Sequence, residues 1–218
     1  MYQPNKKIIA GLFAYCFLVK VFPFVLMHLG MDMQSETVYP WTFTPMFAVG
    51  IFGVALFRKK STGFLLPLTA WIASDVAIGA LAIMHQGLEE GLAYAIYPGQ
   101  LVNYVGMILA TCAGLIVRSR RDVGTIICAG LVSPALFFVV SNFGVWAFDG
   151  YINFPKTLAG LQQAYIAGLP FFKNSVVSTL AYSAVFFSPI GMGFLKANLA
   201  SSPETASASA PAVDTLKS

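Results

Sequence analysis

The stretch SNFGVWAFDGYINFPKTLAGLQQAYIAGLPFFKNSVVSTLAY, residues 141–182, concentrates the unusual chemistry of this chain. It begins inside one apolar run, leaves that run at Asp149 and enters another at Phe171. Polar and amphipathic side chains lie along it in an otherwise strongly apolar sequence: Asn142, Trp146, Gln162, Gln163, Lys173 and Asn174. We interpret the rest of the chain as a hydrophobic scaffold that holds this region in place.

The composition indicates a membrane protein. Of the 218 residues, 57% are hydrophobic and only 10% are charged, whereas a soluble domain carries about 25% charged residues. The apolar residues also fall into long runs rather than alternating with polar ones. The net charge of +4 is carried by short basic clusters between those runs, so we expect no nucleic-acid partner.

The sequence carries no motif for catalysis, a cofactor or a metal. There is no Walker motif, no HExxH, no GxSxG and no cluster of Cys and His. Cys16, Cys112 and Cys128 all fall within apolar runs, and their odd number argues against a disulfide framework. We therefore expect a protein that is not an enzyme and that holds no cofactor and no metal.

Six apolar runs are long enough to form the helix of ~20 residues that crosses a hydrocarbon core of ~30 Å. They lie near 8–29, 41–57, 63–84, 93–117, 124–148 and 171–195. The sequence thus predicts an all-α membrane domain over 1–196 with six transmembrane helices. The remaining tail, 197–218, is rich in Ala, Ser and Pro without hydrophobic periodicity, which predicts a disordered tail.

The basic residues predict the orientation of the chain in the membrane. They precede the first run or follow the second, fourth and sixth: Lys6, Lys7, Arg58, Lys59, Lys60, Arg118, Arg120, Arg121 and Lys196. The alternate connections carry the acidic residues Asp32, Glu36, Glu89, Glu90 and Asp149. By the positive-inside rule, both termini are expected on the cytoplasmic side of the plasma membrane.

The connection before the sixth run has a helical pattern of its own. Pro155 suits a first helical turn, and Gly168 followed by Pro170 is a stop signal. Apolar residues recur between them at helical spacing: Leu158, Leu161, Tyr165 and Leu169. We predict a short amphipathic helix over 155–169 at the outer interface, which either rests on lipid headgroups or covers a cavity.

Two opposite charges are predicted at the same depth of the membrane. Lys20 lies 12 residues after Ile8 in the first run, and Asp75 lies 12 residues after Gly63 in the third run. A charge at this depth costs ~2.5–3.5 kcal/mol on insertion scales, so we expect the two to pair. The pair belongs either to a binding site or to a purely structural contact, and Lys20 has the further option of extending towards the interface.

Five further side chains complete the candidate substrate-binding set with Lys20 and Asp75: Asn103, Asn142, Trp146, Lys173 and Asn174. Asn103 lies near the midplane of the fourth run. Asn142 lies in the outer third of the fifth, one turn before Trp146 on the same face. Such amides bind either a neighbouring helix or a ligand.

Lys173 and Asn174 open the sixth run, and a cation at a helix N-terminus is unfavourable by ~0.3–1 kcal/mol. We therefore expect an anionic group beside Lys173, which is a lipid phosphate, an acidic side chain or an anionic ligand.

Four segments resemble a known family. They are WTFTPMFAVGIFG (41–53), PLTAWIASDVAIG (67–79), SNFGVWAF (141–148) and FPKTLAGLQQAYIAGLPFFKNSVVSTLAY (154–182). The chain resembles an uncharacterised family of bacterial six-span membrane proteins, which is distantly similar to the substrate-binding S components of energy-coupling factor vitamin transporters.

The resemblance implies a compact six-helix bundle in the bacterial inner membrane, with a ligand pocket open to the outer side. In S components, an AxxxA pattern in the first helix docks a membrane coupling subunit, and Ala10 and Ala14 match that pattern. A coupling subunit is thus an expected partner, besides the lipid bilayer.

The leading hypothesis is a membrane protein that binds a small solute from the outer side for uptake. We expect that solute to carry an anionic group and a flat ring. The alternative is a structural or assembly protein whose polar residues only hold helices together, and a membrane enzyme acting on lipid comes third. A water-accessible pocket lined by Asp75, Asn142, Trp146 and Lys173 would distinguish the first two hypotheses.

Overall fold

The computed structural model describes residues 1–31, 43–148 and 154–199. Within these residues the chain forms nine α-helices: α1 (Lys6–His28), α2 (Met46–Leu56), α3 (Lys60–Gln86), α4 (Leu88–Ala95), α5 (Gln100–Thr111), α6 (Gly114–Ser119), α7 (Val123–Phe148), α8 (Leu158–Phe186) and α9 (Pro189–Ala197). The predicted all-helical fold is confirmed. Several residues used in the predictions lie outside the described ones: Asp32, Glu36, Trp41, Asp149 and the tail beyond Leu199.

The helix α2 lies at the centre of the bundle, and all eleven of its residues are buried. It packs against α3, α5, α6, α7 and α8. Eleven residues rise only ~16 Å, about half of the ~30 Å that a hydrocarbon core requires. The described part of the predicted second span, 43–57, is therefore a core helix rather than a complete membrane crossing.

The other described helices include four or five candidate crossings, so the six predicted spans are not confirmed. Among the described residues, α1, α3, α7 and the segment Gly91–Ser119 are long and apolar enough to cross a membrane. The helices α8 and α9 meet this condition together, as one span bent by 59°. The count differs from the prediction because an apolar run does not show whether its neighbours are lipid or protein.

The helix α8 runs without a break through the predicted stop signal. The side chain of Thr157 caps its first turn by accepting a hydrogen bond from the Gly160 N–H at 3.2 Å, and Pro170 lies inside the helix. The prediction of a separate helix over 155–169 was wrong. Packing against α7 supports α8 on both sides of Pro170. Tyr165 donates to the Val139 carbonyl at 2.8 Å, and the ring centroids of Phe172 and Phe138 are 4.8 Å apart. Proline is tolerated in membrane helices when neighbouring elements support the backbone in this way.

Backbone hydrogen bonds bring three parts of the chain to one end of the bundle. The Tyr2 N–H donates to the Leu56 carbonyl at 2.8 Å, and the Arg58 N–H donates to the Tyr2 carbonyl at 2.7 Å. The Asn5 N–H donates to the Asn198 carbonyl at 3.1 Å. The N-terminal segment thus contacts both the turn between α2 and α3 and the residue that follows α9.

A guanidinium group completes this end. Arg118, at the end of α6, donates from Nη1 to the carbonyl oxygens of Val54 and Phe57, each at 2.8 Å. These carbonyls close the last turn of α2, where a helix lacks internal donors. The basic clusters of the sequence therefore lie together, and we call this the basic end (residues 1–7, 56–62, 118–123 and 195–199). The opposite end is the far end.

Glycines allow α2 and α3 to touch through their backbones. A methyl group on Gly63 of α3 would lie 2.5 Å from the carbonyl carbon of Gly53 and 2.8 Å from Cα of Val54. Neither backbone atom can move aside as a flexible side chain would. The glycine is thus required by the closeness of the two helices, as in other membrane bundles with small residues at their contacts.

We predict that Gly63→Ala lowers the free energy of unfolding by ~1–3 kcal/mol, the usual cost of overpacking a well-packed contact. Gly11→Ala is the matched control, because a methyl group at Gly11 would have no atom within 4 Å. Thermal unfolding of both variants in the same detergent measures the difference. Equal melting temperatures for the two variants would contradict the close contact of α2 and α3.

Candidate ligand-binding cavity

A cavity of about 890 Å³ lies in the half of the bundle nearer the far end. Its walls come from the later halves of α1, α3 and α7 and from the first half of α8. Thr44, Met46 and Phe47, at the start of α2, also line it. The volume falls within the ~300–1,000 Å³ that is typical of small-molecule sites.

The walls are mainly aromatic. Ten aromatic side chains line the cavity: Phe24, Phe47, Trp71, Tyr94, Tyr97, Phe137, Phe138, Phe154, Phe171 and Phe172. Polar side chains are fewer and are spread over the same walls: Lys20, Thr44, Asp75, Gln86, Asn103, Ser141, Asn142 and Ser175. A mostly apolar wall with a few placed polar groups is the usual composition of a ligand pocket.

Asp75 is the centre of a polar cluster in this wall. Its Oδ1 accepts from the Lys20 ammonium at 2.6 Å, which confirms the predicted pair. Its Oδ2 accepts from the Tyr104 hydroxyl at 2.9 Å, with Tyr97 Oη and Gln100 Nε2 each 3.4 Å away. Only 5% of the Asp75 surface is exposed, so these donors replace the water that the carboxylate has lost.

The ammonium of Lys20 also lies against an indole. Its Nζ is 4.2 Å from the ring centroid of Trp71, which precedes Asp75 by one turn on the same face of α3. A cation over an indole face gains ~0.5–2 kcal/mol, more when water is excluded. The Trp71 Nε1 atom is buried and has no hydrogen-bond partner among the described residues.

Asn142 lies on the opposite wall, where α7 and α8 approach closely. Its Nδ2 donates to the Phe138 carbonyl at 2.8 Å. A methyl group on Gly168 of α8 would lie 2.7 Å from that same nitrogen. Gly168, which the sequence suggested as a helix stop, instead makes room for the Asn142 amide at the cavity wall.

Trp146 does not line the cavity. Its Nε1 donates to the Pro155 carbonyl at 2.9 Å, and its own carbonyl accepts from the Lys156 ammonium. The indole therefore ties the end of α7 to the segment that leads into α8. One turn beyond Asn142, α7 has already reached its end, and the side chain turns towards the connection instead of the interior.

Lys173 and Asn174 also lie away from the cavity wall. The prediction placed both at the start of a helix, but α8 begins at Leu158, fifteen residues before Lys173. Lys173 is exposed and its charge does not add to a helix N-terminus. The reason for expecting an anionic group on the ligand is thereby removed.

The structure brings four of the seven predicted residues to one cavity: Lys20, Asp75, Asn103 and Asn142. Sequence reasoning missed Tyr97, Gln100 and Tyr104, the further partners of Asp75. Two spacings of one helical turn were local signals for this cluster, that of Trp71 before Asp75 and that of Gln100 before Tyr104. Ala10 and Ala14, the predicted docking residues, are both exposed on α1.

The fold and the cavity define an all-helical protein with four or five helices long and apolar enough to cross a membrane. The chain belongs to a family of unknown function (DUF6580), which matches residues 2–201. This match bears out the predicted membership of an uncharacterised family. No curated protein and no solved structure matches the chain, so the likeness to S components stays a prediction.

We predict strong coupling between Lys20 and Asp75 in a double-mutant cycle. Each of Lys20→Met and Asp75→Leu alone should cost ~3–5 kcal/mol, because one buried charge loses its partner. The double variant should recover part of that loss, though not all, since Tyr104 also loses its acceptor. Unfolding free energies in mixed detergent micelles measure the coupling, and additive effects of the two changes would contradict it.

Proposed function

We propose that this protein binds a small, flat solute without net charge in the cavity of the far half, and that binding serves uptake across the membrane rather than catalysis. The observation that carries the proposal is the cavity of about 890 Å³ with aromatic walls. A structural or assembly role instead requires a bundle that is packed solid at this depth, so the cavity favours the solute.

The charges of the wall favour a solute that is neutral overall. Lys20 and Asp75 are the charged side chains among the lining residues, and they neutralise each other at 2.6 Å. An ionic ligand would enter a largely apolar space without a free counter-charge, which is costly. A ring system that stacks on the aromatic walls gains both apolar contact and favourable ring geometry.

A donor is available in the wall to orient such a ring. The Lys20 ammonium has three N–H groups, and one of them is used by Asp75. A carbonyl oxygen or a ring nitrogen of the solute would accept a hydrogen bond at this place, beside the face on which Lys20 and Trp71 meet.

The orientation of the protein follows from the basic end. Because basic loops stay on the cytoplasmic side, we place the basic end and both chain termini in the cytoplasm of a bacterial inner membrane. The cavity then lies in the outer half of the membrane, where a solute arrives from outside. Uptake by the S-component route would use the exposed Ala10 and Ala14 as the contact with a coupling subunit.

A cavity-filling variant tests the proposal. We expect native mass spectrometry of the purified protein to show a co-purified small molecule, and we expect Ala167→Phe to abolish it. Ala167 lines the cavity, so the added ring occupies the space of the ligand.

Ala159→Phe is the matched control, with the same substitution on the same helix at an exposed position that does not line the cavity. This variant should retain the small molecule. If both variants retain the small molecule, it binds outside the cavity. If the wild-type protein carries no bound molecule, the proposed solute-binding function loses support.

A further inference from the structure

A second cavity, of about 570 Å³, lies at the basic end. The N-terminal segment, the start of α1 and the turn between α2 and α3 enclose it. Three cationic side chains line it, those of Lys6, Arg58 and Lys59, and no acidic residue does. Ile9 and Phe57 add an apolar surface to the same cavity.

Two helix N-termini add to this positive charge. Both α1 and α3 begin at the cavity, and neither has an acidic residue in its first turn. Asn5 caps α1, accepting from the Ile8 N–H at 2.9 Å, whereas no side chain caps α3. Each N-terminus carries about half a positive charge, so helix ends and side chains together favour an anion at this place.

The acidic residue of the described basic end does not supply that anion. Asp122 pairs with Arg120 at 2.7 Å and also accepts from the N–H and the hydroxyl of Thr125, at 3.0 and 2.8 Å. Its carboxylate therefore serves the start of α7, away from the cavity. The charges of Lys6, Arg58 and Lys59 stay without an acidic partner among the lining residues.

The cavity is also held in shape before any ligand arrives. Hydrogen bonds on both sides of Tyr2 fix the N-terminal segment against Leu56 and Arg58. The Arg58 backbone is thus anchored, while its guanidinium is exposed. Preorganised donors lose less entropy when they bind.

We propose that this second cavity binds the phosphate-bearing headgroup of an anionic phospholipid. The three cations and the uncapped start of α3 bind the phosphate. The apolar surface of Ile9 and Phe57 accepts the first carbons of the acyl chains. The cavity lies where the apolar runs of α1 and α3 begin, which is the level of the lipid headgroups. Basic pockets between membrane helices bind anionic lipids by this chemistry. The inference is independent of the solute proposed for the other cavity.

The test compares two variants that each lose two positive charges at the basic end. Arg58→Gln with Lys59→Gln removes charge from the cavity. Arg120→Gln with Arg121→Gln removes it from residues that do not line the cavity. Each protein is equilibrated in micelles with equal amounts of phosphatidylglycerol and phosphatidylcholine, and native mass spectrometry counts the retained lipids.

We expect wild-type protein and the Arg120/Arg121 variant to retain phosphatidylglycerol in preference to phosphatidylcholine. The Arg58/Lys59 variant should retain less phosphatidylglycerol than the wild-type protein, by a factor of about ten or more. Equal losses in both variants, or no loss in either, would overturn the site. If the Arg58/Lys59 variant does not fold, Lys6→Gln takes its place, with an expected loss of about fivefold because it removes one charge.

A second arm distinguishes lipid from free phosphate. Inorganic phosphate is added to delipidated wild-type protein, and its effect on the melting temperature is compared with that of phosphatidylglycerol. Stabilisation by the lipid alone supports the proposal. If inorganic phosphate stabilises the protein equally, and the Arg58/Lys59 variant loses this effect, the proposal of a lipid ligand is overturned. The cavity is then a site for a free anion.

Discussion

The complete burial of α2 is the constraint on which the rest of the structure depends. A helix with no surface for lipid must be surrounded on all sides, and α3, α5, α6, α7 and α8 surround it. Its backbone must also be satisfied inside the protein, because no water reaches its last turn. Arg118 and the Tyr2 N–H supply donors to the carbonyls of Val54, Leu56 and Phe57. The position of the basic end follows from these bonds.

The shortness of α2 also explains the cavity. The helix fills only the half of the bundle nearer the basic end, while its neighbours continue towards the far end. Thr44, Met46 and Phe47, at the N-terminal end of α2, are cavity-lining residues. The space above them is closed by aromatic side chains of the longer helices instead of by a central helix. Fold and candidate site are therefore two results of one short, buried element.

The sequence predicted those features that depend on depth or on sidedness. Lys20 and Asp75 were expected to meet because equal rises along two parallel helices place them at one level, and the pair is present at 2.6 Å. Clustering of Arg58 and Arg118 at one end was likewise expected. These predictions need only the rise of an α-helix per residue and the position of each charge in the sequence.

Features that depend on tertiary contacts were not predictable. The apolar run that contains α2 has the composition of a lipid-facing span, because burial in protein and burial in lipid select the same residues. Pro170 is a local stop signal, and only the packing of Tyr165 and Phe172 on α7 shows why α8 continues. Tyr104 lies 29 residues after Asp75, on a different helix. No rule of sequence spacing links the two residues.

The central proposal is that the cavity admits small uncharged solutes from one side of the membrane. The most direct measurement is the reaction of single cysteines with a small, uncharged, hydrophilic thiol reagent that crosses membranes slowly, added outside sealed vesicles. Cys16, Cys112 and Cys128 are first replaced by serine.

Ser175→Cys places a thiol on the cavity wall, and Ser178→Cys places one on the same helix at a fully buried position that does not line the cavity. The account predicts modification at 175 and none at 178. Two unreactive cysteines, or two that react equally, would contradict it.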